Sequence, residues 1–163
     1  MKTSFKLKTY LPLLAIFSLI FVFTIAKALI ITDYSSQSLM LDFMAGFFLV
    51  FGGFKAAKLG AFAEAYAMYD IIAMRSKIYA HIYPFIEIAL GLAFLFRFEV
   101  IFVAWITLLL MSINSVGAYK GIRDKKVLMC ACLGSVFKLP MSFVSLGEDL
   151  LMAVMALFII LMV

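Results

Sequence analysis

Apolar residues in this chain come in long unbroken runs rather than in alternating stripes. Five runs stand out: Tyr10–Thr32, Met40–Ala57, Ile78–Phe96, Val100–Ala118 and a last one ending at Val163. None alternates with period two, so none reads as a strand, and the first four approach the roughly 20 residues a helix needs to cross a bilayer. The pattern predicts an all-α integral membrane bundle, because only helices and closed barrels satisfy their backbone in lipid.

The last run needs help, since Leu150–Val163 alone would rise only about 21 Å. Ser145-Leu-Gly-Glu148 has the spacing of a capping box, which predicts a final helix over 145–163 with Glu148 and Asp149 in its first turn. Between the second and third runs, Phe62, Tyr66, Tyr69 and Ala73 recur at helical spacing with charges interleaved. That stretch reads as an amphipathic anchor in the headgroup region. Gly52, Ala56 and Gly60 form a small-xxx-small row suited to close helix approach, and Ala89 and Ala93 offer another. No linker interrupts the chain, so residues 1–163 are expected to form a single membrane domain.

Composition agrees with the runs. The chain is 67% hydrophobic and 14% charged over 163 residues, with mean hydropathy +1.17, which is too much apolar surface for one soluble core of this size. The net charge of +5 is spread between the runs, the signature of membrane topology rather than of a phosphate-binding stripe, so nucleic acid is excluded as a partner and the lipid bilayer takes its place. With the N-terminus in the cytoplasm, twelve of the fourteen Lys and Arg fall inside. Lys27 and Arg97 are left outside, beside an outer loop of Asp33, Tyr34, Ser35, Ser36 and Gln37. The expected location is the cytoplasmic membrane of a bacterium, multi-pass, N-terminus in and C-terminus out. Lys2, Lys6 and Lys8 ahead of the first run resemble a signal peptide, but that run exceeds the roughly 7–15 residues of such a segment and is read as a retained helix.

Chemistry concentrates in two places. The chain's only cysteines, Cys130 and Cys132, sit one residue apart in its most basic loop, where Lys125 and Lys126 favour the thiolate. Met129 and Met141 add thioethers, a soft donor set suited to Cu(I). Glu87 is the second place, at mid-span between Pro84 and Gly91, where an ionisable group is costly and calls for a partner. Lys55 and His81 are the candidates. In the alternative, a protonated Glu87 bonds a neighbouring helix, Lys55 snorkels and His81 is an ordinary interfacial residue. Asp42 is placed at the outer interface. No nucleophile elbow, phosphate loop or zinc-binding His pair is present, so any enzymatic role is at most that of a thiol–disulfide accessory.

Gly53-Phe-Lys55, Pro84-Phe-Ile-Glu87-Ile-Ala-Leu-Gly91, Cys130-Ala-Cys132-Leu-Gly134, Leu139-Pro140-Met141 and Glu148-Asp149 together resemble the DoxX-like and MauE-like membrane proteins. The match is to the MauE (methylamine utilisation) branch, known as redox-associated membrane proteins, and runs from Met40 to the C-terminus. The resemblance implies a core of about four crossings, here with one extra N-terminal helix, and a part in the thiol or disulfide maturation of a partner protein. Relatives with a fused heavy-metal domain imply a soft-metal role with a metal-carrier partner instead. A third reading is an accessory or assembly subunit without chemistry of its own.

Overall fold

The computed structural model describes residues 7–123 and 141–162, with side chains from 13 to 123 and from 145 to 162. Within them the chain forms α1 (Leu7–Ile31), α2 (Ser36–Ala57), α3 (Leu59–Tyr66), α4 (Lys77–Leu95), α5 (Val100–Arg123) and α6 (Met141–Leu161), and no strand. The architecture is an all-α membrane bundle. Leu13–Ile31, Ser36–Ala57, Lys77–Leu95 and Val100–Arg123 are each long and apolar enough to span a bilayer. Phe21, Phe85, Phe102 and Leu109 stand exposed on them, and in an integral membrane protein that outer apolar surface faces lipid.

Local chemistry sets the helix starts. Ser35 caps α2 by accepting the Ser38 N–H at 3.2 Å, and Ser76 caps α4 by accepting that of Tyr79 at 3.3 Å. The α4–α5 turn places Arg97 and Glu99 at positive φ (58° and 39°), an uncommon region for residues with a Cβ.

Two helix pairs build the core: α2 lies along α4, α5 lies along α6, and α1 rests on the outside of α2. The α2–α4 approach depends on glycine. A Cβ on Gly91 would sit 2.9 Å from Leu49 Cγ and 3.1 Å from the Leu49 backbone nitrogen, and one on Gly52 would meet Glu87 Cβ and the Pro84 carbonyl oxygen, each at 3.2 Å. α1 is the peripheral element, with 17% of its spanning window buried against 50% for α2. Phe17 holds it in place by packing 5.8–5.9 Å from the Phe47 and Phe51 rings, and Ile20 fits against Gly46.

Three expectations need correction. α6 begins at Met141, so Ser145 and Glu148 lie inside the helix and are not its cap; starting one turn earlier gives 21 residues and about 32 Å, enough to span without a box at Ser145. The segment after α2 is helical as α3, but its aromatic face points inward: Phe62 and Tyr66 are only 1–2% exposed, and Tyr69 and Ala73 are buried too. It is a core element, because the Tyr66 phenol finds its hydrogen-bond partner, Asn114, in the bundle interior rather than among headgroups. Finally, Gly60 falls in α3 with nothing near it, and Ala89 is exposed, so Gly52 and Gly91 make the close contact instead.

Candidate functional site

Where α2, α3, α4, α5 and α6 converge, the bundle encloses charge. Lys55, in the last turn of α2, reaches Glu87 on α4, and its Nζ lies 2.6 Å from Oε1. Both side chains are buried, at 10% and 2% exposure. The ammonium also lies over two ring faces, 5.2 Å from the Tyr83 centroid and 5.6 Å from that of Phe62, where the π-electrons attract a desolvated cation. Gly52, one turn before Lys55, lets α2 come close enough to Glu87 for this reach.

Aromatic residues and one amide build the wall. Tyr66 stacks between Phe62 and Tyr83, with centroids 5.1 and 4.6 Å away. Its hydroxyl donates to Asn114 Oδ1 at 2.9 Å, and Asn114 Nδ2 in turn donates to the Tyr83 hydroxyl. A single amide on α5 thereby fixes α3 and α4 through both of its ends. Burial pushes the Tyr66 phenol well above its ordinary value, so it remains a neutral donor. Beyond α3, Asp70 is fully buried and its Oδ1 accepts the Ile72 and Ala73 N–H groups.

α6 closes the site. Ser145, Glu148 and Asp149 line the same small cavity as Lys55 and Glu87, with Glu148 buried and Asp149 partly so. Of the candidates named from sequence, then, Lys55, Glu87, Ser145, Glu148 and Asp149 come together. His81 does not: it is exposed on α4, and its Nδ1 lies 2.8 Å from the Lys77 carbonyl oxygen. Cys130, Cys132 and Met129 lie outside the described residues, as does the side chain of Met141. No group of three or more potential metal ligands occurs among the described residues.

A second charged site lies at the other end of α2. Asp42 is buried and pairs with Lys27 of α1 and Arg97 of the α4–α5 turn, both at 2.7 Å. Arg97 also donates to Ser38 Oγ at 2.8 Å. These are the two cations assigned from sequence to the outer side. The nearby loop carries Asp33, whose carboxyl the Ser35 backbone N–H holds below its ordinary value.

Tyr83, Asn114 and Asp70 were not singled out in the sequence. Asn114 had a legible signal, as an amide inside an otherwise apolar spanning run, where an unpaired polar group is costly. Tyr83 and Asp70 had none, since aromatics and loop carboxylates are ordinary in such a composition.

The fold and its buried charge define an integral membrane helical bundle with a polar centre. A family model described as methylamine utilisation protein MauE matches residues 34–162, and the chain belongs to that family. The match begins after α1, in keeping with that helix's position outside the core. Neither a curated protein nor a solved structure matches the chain.

Proposed function

We propose that this protein is a membrane accessory of methylamine utilisation that takes part in the thiol–disulfide maturation of a partner protein through Cys130 and Cys132. The family match over residues 34–162 carries this reading. It is supported by the dithiol's place in the sequence, between the end of α5 at Arg123 and the start of α6 at Met141, the helix that brings Glu148 and Asp149 to the buried site. The exchange balances within the two proteins. One cysteine thiolate attacks a partner disulfide, forming a mixed disulfide and releasing one partner thiolate; the second cysteine thiolate then attacks the first cysteine's sulfur and expels the partner's other sulfur as a thiolate. The products are a Cys130–Cys132 disulfide and a partner dithiol, and the reverse direction uses the same steps.

The whole chain acts as a single membrane domain with five crossings in a bacterial cytoplasmic membrane. The N-terminus is inside and the C-terminus outside, because Lys27 and Arg97 mark the end of the bundle poorest in basic residues. Lys55 and Glu87 give the bundle a polar centre.

Trapping tests the redox reading. In Cys130→Ser and Cys132→Ser variants, one is expected to accumulate a mixed disulfide visible on a non-reducing gel, while the double variant forms none. If neither single variant captures a partner, the redox reading fails. Metal analysis of anaerobically purified protein separates the soft-metal alternative, which requires copper bound with a stoichiometry that depends on both sulfurs.

A further inference from the structure

Among the described residues, the ionisable groups lining the central cavity are mostly acidic. Among the described residues Lys55 is the only cation lining it, whereas Glu87, Glu148 and Asp149 all do. Even with Glu148 left to its own contacts, ionising both Glu87 and Asp149 would bury a net negative charge, which an apolar interior strongly resists. At the Asp42 site the ratio is reversed, two cations to one carboxylate. Glu87 is 1% exposed; Lys55 engages its Oε1, but its Oε2 has no hydrogen-bond partner among the described residues. The cavity, about 10 Å³, has room for one water-sized occupant and no more.

We propose that this cavity is a proton-binding site, in which Glu87 and Asp149 hold one proton between them and exchange it through a single water seated against Glu87 Oε2. A bound alkali cation would need several oxygen ligands. The rest of the wall supplies few: Phe47 and Phe62 present carbon, the Tyr66 hydroxyl donates to Asn114, and the Tyr83 hydroxyl oxygen already accepts from Asn114. The other groups facing the site do not supply the missing charge. Tyr69 of the segment after α3 and Tyr79 of α4 are phenols and Asp70 is a further carboxyl group, so none of the three is a cation. Exchange with the outside has a route along α6, where Ser145 and Asp149 are only partly buried. The site stands independently of the cysteine chemistry.

Infrared difference spectroscopy of the full chain in lipid vesicles, titrated with pH, tests this. Wild type is expected to show the C=O stretch of one protonated carboxyl at neutral pH, shifted in deuterated water and indifferent to sodium or potassium. Asp149→Asn and Glu87→Gln should each lose that band, because either leaves Lys55 matched to one carboxylate, while Glu64→Gln on the exposed face of α3 retains it. Absence of the band from wild type would overturn the proposal without reference to any variant. So would its persistence in both site variants, or its replacement by a sodium-dependent signal, which would make the occupant a metal cation.

Discussion

Lys55 and Glu87 show how a single buried pair constrains a membrane helix bundle. Removing one partner from such a pair leaves an uncompensated charge, at a cost of about 3–5 kcal/mol, whereas replacing both with apolar residues of similar volume is often close to neutral. Lys55→Met should therefore unfold more readily in mild detergent by about that amount, and Lys55→Met combined with Glu87→Leu should recover most of the loss. Additive losses in the double variant would show that the two residues do not act as a pair. Asn114→Leu makes a sharper case, since it strands two buried phenols at once. It is expected to cost about 1–3 kcal/mol, more than Tyr66→Phe, which removes a donor and leaves one amide oxygen unsatisfied. At this scale the sequence was informative wherever a charge fell inside an apolar run: Glu87 and Lys55 were both legible, Lys55 as one of two candidate partners, and the structure pairs them. Tyr83 was hidden because a tyrosine in a spanning helix is as often an interfacial anchor as a hydrogen-bonding core residue.

Helices were legible as apolar runs, because in lipid no other backbone arrangement is satisfied. Their ends were less so. α2 starts at Ser36 rather than Met40 because Ser35 can cap it, although Ser36, Gln37 and Ser38 carry no apolar signal. α6 starts before Ser145, so the box-like spacing there arises inside a helix. The burial of α3 was not readable at all, as a short aromatic face suits headgroups and core alike; what decides is the Asn114 amide on a helix forty-eight residues along from Tyr66. Glycine gives a test at the level of the helix pair. Gly91→Ala pushes a Cβ against the Leu49 backbone and should cost about 1–3 kcal/mol in thermal unfolding. Gly53→Ala, with nothing within 4 Å, should be neutral or stabilise by up to about 1 kcal/mol through helix propensity. Equal effects at the two sites would mean that α2 and α4 are not in close contact.

Taken whole, the molecule is a core of α2, α4, α5 and α6 with α3 folded into it and α1 attached at one side. The family match covers that core and leaves α1 out. Its charges divide along the same axis, with Lys55, Glu87, Glu148 and Asp149 gathered in one half and Asp42, Lys27 and Arg97 in the other. Orientation in the membrane is testable in a chain lacking Cys130 and Cys132. Ser36→Cys should react with an impermeant thiol reagent in intact cells, and Glu64→Cys only after permeabilisation. The opposite pattern would invert the topology.

Asp42 has a further consequence for how the protein is made. Lys27 lies near the end of α1 and Asp42 in the second turn of α2, so the two meet across the first hairpin before any later helix exists. If that hairpin enters the bilayer as a unit in the proposed orientation, the lysine carried across travels already neutralised, and Arg97 finds the same carboxylate waiting when α4 follows. Asp42→Asn should therefore slow biogenesis as well as weaken the finished protein, with pulse-chase experiments showing delayed insertion of the first hairpin and equilibrium unfolding shifted toward the unfolded state because two cations lose their shared carboxylate.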